Sequence, residues 1–344
     1  MVIKMAGKLA NSSVELIGDT PIVRLSKIDK DYPFEIWAKC EFMNPTGSVK
    51  DRMAYYMIKE AEKQGKLKPG MTIAIATTGN TGIAFAAWGS YFGYDVLIVM
   101  PEEMSYERKL LDMLFGAKLI YTPGGESDAM GALEYAKKLE KENPDKYVVL
   151  DQWDDEANFK AHYETTGREI IEQLGAENIK GFVAGVGSGG TLVGIAKRLK
   201  DANPRIITAG MEPAECPTAE GWFKSGELGA WGRHEVEGIG DGFVPSLVEK
   251  YKQYIDDWVT VSSDEAIEMA RRIARREALG VGISSGANVV AAIKLAERHN
   301  FGEGDRVVTI LPDYAARYFS TRLFLKRRLG TEEHERMLEL ARED

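Results

Sequence analysis

Short β-branched and aromatic runs alternate with longer amphipathic ones along almost all of this 344-residue chain. The pattern predicts strands at 35–40, 72–76, 95–100, 118–121, 147–150, 182–185, 206–211 and 307–311. It predicts helices at 52–64, 82–93, 106–115, 129–140, 163–174, 191–201, 263–277 and 287–299. Strands separated by helices pair in parallel through right-handed crossovers. The expected fold class is therefore α/β, with open, mostly parallel twisted sheets flanked by helices. Ligands of such sheets bind beyond the carboxyl ends of the strands, so the strand-to-helix turns are where function is sought. A chain of 344 residues also exceeds the size of one ordinary core, and two domains are expected.

Composition narrows the partners. Net charge is -9, and no basic block is interleaved with aromatics, which speaks against a nucleic-acid or anionic-membrane surface. Apolar runs such as 96–100 have strand length, far short of a membrane span. The first thirteen residues lack the apolar centre of a secretory signal. Two cysteines, Cys40 and Cys216, make no disulfide framework. The expectation is a soluble cytoplasmic protein. The four histidines, His162, His234, His299 and His334, show no metal-ligand spacing.

Within the turns, one lysine stands out. In Asn44-Pro45-Thr46-Gly47-Ser48-Val49-Lys50-Asp51-Arg52 the Asn-Pro and Thr-Gly steps break regular structure, and helical spacing resumes at Val49. Lys50 then sits at a helix start, where the positive dipole end disfavours the ammonium and helps the amine go neutral. Three further turns gather glycines and hydroxyls before a helix: Thr77-Thr78-Gly79-Asn80-Thr81-Gly82, Gly185-Val186-Gly187-Ser188-Gly189-Gly190-Thr191, and Gly282-Ile283-Ser284-Ser285-Gly286. Such turns cradle anions with backbone N–H groups. Each also reads as ordinary helix capping. The second satisfies G-x-G-x-x-G with Glu212 about twenty residues on, so a nicotinamide oxidoreductase is an open alternative. A lysine together with three such turns suits pyridoxal 5'-phosphate, which needs an amine, phosphate donors and ring partners.

These motifs carry a resemblance. With GIGDGF at 238–243 and ILPD at 310–313, the chain from about Leu16 to Arg327 resembles the fold-type-II pyridoxal-phosphate enzymes of the cysteine synthase / cystathionine β-synthase group, whose fold is tryptophan synthase β-like. The resemblance implies a cofactor in an interdomain cleft, a smaller domain at 50–156 inserted in a larger one (1–49 and 157–330), and a homodimer. It implies Lys50 as the Schiff-base lysine, Asn80 at the ring hydroxyl, and Gly187, Ser188, Gly189, Gly190 and Thr191 around the phosphate. Ser284 would face the pyridine nitrogen; a neutral hydroxyl there does not hold the ring protonated, which suits β-elimination over transamination. Thr77, Thr78, Thr81 and Gln152 would grip the substrate carboxylate. The implied reaction is β-replacement on a serine- or cysteine-type amino acid through an α-aminoacrylate, most commonly cysteine from O-acetylserine and sulfide.

Two departures bear on the entering nucleophile. Thr78 stands where such enzymes usually have serine, and Asp241 where cysteine synthases carry a small apolar residue. Asp241 is either a base toward water or a thiol, giving serine and hydrogen sulfide from cysteine or a cystathionine β-synthase-like condensation, or a solvated turn aspartate. The segments 39–42, 150–153, 161–166 and 310–313 are nearer to cystathionine β-synthases. With no room for a haem extension or regulatory module, a stand-alone catalytic core is expected. Cys40 reads as a core residue, and Cys216 as structural or reactive. The stretch 226–237 reads as a surface excursion, and 331–344 as a charged tail anchored by Leu338 and Leu340.

Overall fold

The structure, a computed structural model, describes residues 9–125, 128–327, 329, 330, 332, 333 and 336. Its strands, in chain order, are β1 (Ile22–Arg24), β2 (Glu35–Cys40), β3 (Thr72–Ala76), β4 (Asp95–Pro101), β5 (Lys118–Thr122), β6 (Tyr147–Val149), β7 (Gly181–Gly185), β8 (Ile207–Pro213), β9 (Asp257–Val261) and β10 (Arg306–Leu311). Its α-helices are α1 (Lys50–Lys63), α2 (Asn80–Tyr91), α3 (Tyr106–Leu114), α4 (Ala129–Glu142), α5 (Glu156–Ala161), α6 (Gly167–Leu174), α7 (Gly190–Ala202), α8 (Thr218–Ser225), α9 (Ser246–Tyr251), α10 (Ser263–Glu277) and α11 (Ile283–Arg298).

The α/β expectation holds. Strands β5-β4-β3-β6 form a wholly parallel sheet. The second sheet has the order β1-β2-β10-β7-β8-β9 and is parallel except for β1, which runs antiparallel to β2. Both faces of each sheet are covered, so their strands read as nearly continuous apolar runs. In the larger sheet, Val183, Met211 and Val307 pack with Ile273 and Val289 on one side, while Phe182, Ala184 and Val308 pack with Leu192, Ile195 and Trp258 on the other. In the smaller sheet, Ile73, Ile75 and Ile98 pack with Met53, Met57 and Phe85. Its other face carries Ala76 and Val99 against Leu133 and Trp153.

Four features depart from expectation. Strand β9 was not anticipated, because five residues flanked by charge carry little periodic signal; it forms where Trp258 packs on Gly210, at which a Cβ would lie 2.8 Å from the indole. Helices α8 and α9 likewise occupy a stretch without predicted elements. The helix expected at 163–174 is broken by a π turn, His162–Thr166, in which Thr165 Oγ1 donates back to the Ala161 carbonyl. Helix α7 crosses that turn closely, since a Cβ at Gly194 would lie 2.8 Å from His162 Cβ and 3.0 Å from the Tyr163 backbone nitrogen. In the excursion at 226–237, Leu228 and Trp231 are exposed, but His234, Val236 and Glu237 are buried. Leu338 and Leu340 of the expected tail lie outside the described residues.

A buried ion network fastens α1 to the larger sheet. Arg52 Nε donates to Glu41 Oε2 at 2.7 Å, and its two Nη atoms donate to Glu169 at 2.6 and 2.8 Å. Lys39 Nζ lies 2.7 Å from Glu169 Oε2. Despite the desolvation of full burial, the Arg52 guanidinium holds the Glu41 carboxyl down to about 2. Removing Arg52 takes the hydrogen-bonded cation from buried Glu41 and leaves Glu169 with Lys39 alone. Replacement by methionine is expected to destabilise the protein by about 3–5 kcal/mol, read as a lowered urea midpoint at unchanged slope.

Candidate active site

Lys50 is the first residue of α1, and two chambers of the cleft meet at it. The loop before it is held from both ends. Arg317 donates through its Nη atoms to the carbonyls of Thr46 and Gly47, and Val49 N donates to Pro312 O at 2.8 Å. Asp51 Oδ2 accepts from Thr46 N (3.1 Å) and Thr46 Oγ1 (2.8 Å), while its Oδ1 accepts from Trp88 Nε1 at 2.5 Å. Burial pushes the Asp51 carboxyl up to about 6 against those three donors. The lysine is thus the head of a rigid helix rather than part of a loose loop.

The first chamber is lined by Gly187, Ser188, Gly189, Thr191 and Ser284, with Asn288 beside them. The second is lined by Thr77, Thr78, Thr81, Gln152 and Asp241. Lys50, Asn80, Ser188 and Gly238 border both. Of the residues assigned in the sequence to the cofactor or the substrate, only Gly190 stands behind the wall. Its missing side chain makes room for a support: a Cβ there would lie 2.1 Å from Asn158 Oδ1. Asn158 Nδ2 in turn donates to Ser188 Oγ at 3.0 Å and to Gln152 O at 2.7 Å, tying the two chambers together. Gly189 takes a left-handed φ of 86°, which turns the loop into α7.

The hydroxyls of these turns do not cap their own helices. Helices α2, α7 and α11 have glycine at the N-cap and no side-chain capping bond. Contrast Ser262, whose Oγ accepts from Glu265 N at 3.2 Å in a full capping box on α10. The capping alternative therefore fails for these three turns, and the first-turn N–H groups of α7, beside the first chamber, have no intrahelical acceptor. Within the second chamber, Thr81 Oγ1 donates to Gln152 Oε1 (2.7 Å) and Gln152 Nε2 donates to Ala76 O (3.1 Å). Asn80 Nδ2 donates to Asp313 Oδ2 at 2.7 Å, and the buried Asn80 Oδ1 has no hydrogen-bond partner.

Asp241 is not a solvated turn residue. It is buried, and its Oδ2 accepts from Trp153 Nε1 at 2.7 Å. Burial pushes its carboxyl up to about 6, against the pull of the indole N–H and of Lys50. Glu212, the acidic residue that a dinucleotide fold requires, is spent elsewhere. Its carboxylate accepts from Ala219 N (3.1 Å), Glu220 N (2.7 Å) and Thr218 Oγ1 (3.3 Å) at the start of α8. The nicotinamide alternative thereby loses its ribose ligand. Both cysteines are buried, and burial raises the Cys40 thiol to about 11. No group of three or more metal-ligating side chains forms among the described residues.

Sequence reasoning missed several supports: Trp153, Asn158, His162, Asn288 and Asp313. Asn288 Oδ1 accepts from Gly185 N at 2.8 Å and its Nδ2 donates to Ile310 O at 2.9 Å, joining β7 to β10 at the chamber floor. Asp313 lay inside a quoted motif, but its partner Asn80 is 233 residues away. His162 is fully buried, with Nε2 3.2 Å from Thr191 Oγ1 and Nδ1 3.0 Å from Thr166 Oγ1. Burial, then Arg52, push its imidazole down from 6.5 to about 3. The unfolded chain takes up a proton below about 6.5 that the folded chain refuses, so stability falls as pH drops from there toward 3. His162→Gln is expected to lack this loss. The stability difference between the two proteins should change by up to about 4 kcal/mol over that range, measured by urea unfolding at each pH.

Comparison with known proteins gives consistent matches. The pyridoxal-phosphate dependent enzyme family matches residues 14–313. A cysteine synthase of Staphylococcus aureus is 41% identical over 320 residues, spanning 93% of this chain and 99% of that protein. The structure of an O-acetylserine dependent cystathionine β-synthase from Helicobacter pylori aligns with a TM-score of 0.84 at 38% identity, covering 93% of this chain and 100% of that one. A hydrogen sulfide-producing enzyme from Fusobacterium nucleatum aligns with a TM-score of 0.82 at 37% identity, covering 90% and 100%.

Proposed function

Since the chain belongs to the pyridoxal-phosphate dependent enzymes, we propose that it carries out β-replacement on a serine- or cysteine-type amino acid, principally O-acetylserine plus sulfide to cysteine plus acetate. The observation that carries this reading is the meeting of two unlike chambers at Lys50, one glycine-rich at a helix N-terminus and one lined by hydroxyls and an amide. The cofactor fits the residues present. The uncapped first turn of α7 offers N–H donors to a phosphate, and the Asn80 amide keeps one N–H and an unpartnered oxygen beside Lys50. When bound, pyridoxal phosphate supplies an aldehyde carbon for amines and a ring that takes up electron density from the substrate α-carbon.

Lys50 is the amine that holds the cofactor, and the group that moves the proton at the substrate α-carbon. The Gly187–Thr191 loop binds the phosphate through backbone N–H groups and the Ser188 and Thr191 hydroxyls. Asn80 orients the ring through its hydroxyl, and Ser284 meets the ring nitrogen with a neutral hydroxyl. Thr77, Thr78, Thr81 and Gln152 receive the substrate carboxylate; Gln152 is already fixed by Ala76 and Thr81. We further propose that residues 50–156 form the smaller domain within a larger one (1–49 and 157–330), and that the enzyme is a cytoplasmic homodimer. No helix among the described residues is long and apolar enough to cross a membrane.

A second reading rests on Asp241. Its buried carboxylate shares the second chamber with Lys50. Once the Cβ–S bond has broken and sulfide has left with a proton, Asp241 takes a proton from water while the water oxygen bonds to the β-carbon, so that cysteine and water give serine and hydrogen sulfide. The similar hydrogen sulfide-producing enzyme supports this branch. A carboxylate is a base only when ionised, so this branch is expected to gain rate as pH rises through about 6.

Three experiments test these readings. Adding O-acetylserine to the yellow enzyme is expected to give a new visible absorption band that sulfide discharges as cysteine and acetate appear. Lys50→Ala is expected to lose borohydride-fixed attachment of the cofactor, read by mass spectrometry of the peptide, and to slow turnover by about 10²–10⁴-fold or more. Retained attachment at another lysine would refute the assignment. Asp241→Asn is expected to slow sulfide release from cysteine by about 10²–10⁴-fold while sparing cysteine formation.

A further inference from the structure

Trp153 has no part in the chemistry described so far, yet its indole nitrogen is the group that meets Asp241. Its ring is buried in the apolar cluster of the smaller sheet with Ala76, Val99 and Leu133. Asp241 belongs to the 238–243 turn, which packs beside the larger sheet through Ile239. The 2.7 Å bond from Nε1 to Oδ2 therefore crosses the cleft between the two sheets. Phe243, two residues beyond Asp241, meets the indole edge-on at a centroid distance of 5.5 Å. Trp153 is itself held by its backbone: its N donates to Asp151 Oδ1 at 3.1 Å, and its O accepts from Leu247 N at 3.1 Å, at the start of α9. It is fixed before it reaches Asp241.

We propose that Trp153 is a positioning residue for the nucleophile-activating step, its indole N–H occupying one oxygen of Asp241 across the cleft and leaving the other to meet the incoming nucleophile. This rests on the reading of Asp241 as the base toward water. An indole N–H only donates, so it binds the ionised carboxylate more strongly than the acid and favours the ionised form. It fixes the carboxylate plane as well, because one oxygen is anchored while the side chain lines the chamber. Adjacent Gln152 faces the substrate-carboxylate positions, so a single turn of chain serves both substrate and base.

The charged surroundings of Asp241 are few. Lys50, from α1, lines the same chamber. His234, on the same loop, contacts the Gly240 carbonyl through Nε2 at 3.0 Å. Glu237 pairs with Arg108 of α3 on the far side of Gly238. On the Trp153 side, Asp151 is paired with Lys137 of α4 at 2.6 Å. None of these replaces the indole N–H on Oδ2.

The test removes the N–H and keeps the ring. Trp153→Phe is compared with a protein carrying 3-benzothienylalanine at position 153, where sulfur replaces the N–H in a bicycle of the same shape. Asp241→Asn and the Asp241→Asn variants of both are made alongside. Two readouts are taken: the pH dependence of sulfide release from cysteine, and the pH dependence of the melting-temperature difference between each protein and its Asp241→Asn partner. The second reports the carboxyl directly, without turnover. Losing the N–H is expected to move both transitions up by about one pH unit and to lower kcat near pH 6 by up to about tenfold, with KM for cysteine unchanged. A benzothienylalanine protein whose two transitions stay in place overturns the proposal. So does a fall in kcat and KM together without a pH shift, which marks a merely structural tryptophan. If Asp241→Asn leaves sulfide release and its pH profile intact, the base reading itself fails, and the role of Trp153 falls with it. The melting differences still separate that outcome from a missing Trp153–Asp241 bond.

Discussion

One guanidinium determines where Lys50 stands. Arg52 is buried, yet all of its reach is matched by Glu41 and Glu169, so the charge is stable only with α1 docked against β2 and α6. Breaking such a pair leaves unpaired charge in the interior, which makes the docking nearly all-or-none. Lys50, two residues earlier on the same helix, inherits that fixed position. Asp51 adds a tie to Trp88 on α2, and Arg317 holds the preceding loop through its carbonyls. Asp51 and Arg52 thus face two different supports, and the loop leading to Lys50 has a third. A reactive amine on a floppy loop would spend its binding energy on being ordered; this one is ordered by folding.

The chambers follow from a second economy, in polar groups. Threonines and serines ahead of helices normally satisfy the first N–H groups themselves, as Ser262 does on α10. At α2, α7 and α11 glycine takes the capping position and no side chain caps the helix, while Thr77, Thr78, Thr81, Ser188, Thr191 and Ser284 line the chambers. Ligand donors are thereby created by withholding ordinary caps. The supports behind them are amides and carboxylates that bridge distant strands: Asn158 joins the two chambers, Asn288 joins β7 to β10, and Asp313 reaches Asn80.

This division explains what was legible in the sequence. The lysine loop, the three turns and the parallel α/β pattern are local signals, visible as breaker residues followed by helical spacing. Of the residues assigned from these signals to the cofactor and the substrate, all but Gly190 line the chambers, and Gly190 is needed for a reason local sequence does not carry, the nearness of Asn158. Supports pair across long stretches of chain, as Arg52 does with Glu169, 117 residues on. Neither partner announces the other. Asp241 sits between glycines and looks like a solvated turn residue until Trp153, 88 residues earlier, is brought over it. Glu212 errs the other way: its spacing from the glycine loop suggests a ribose ligand, and only the presence of α8 shows where its carboxylate goes.

The π turn at His162–Thr166 has a consequence for how such a chain tolerates length change. One extra residue in a helix advances everything downstream by about 100° around the axis. Glu169, which completes the charge pair with Arg52, lies three residues beyond the turn, and His162 lies at its start. Trimming one residue would restore an unbroken helix and improve its local hydrogen bonding. It would also swing Glu169 away from Arg52, or His162 away from Thr191. The irregular turn is therefore a phase lock: lineages are free to vary the side chains on its outer face but not its residue count, and deletions accepted in nearby surface loops will be absent here.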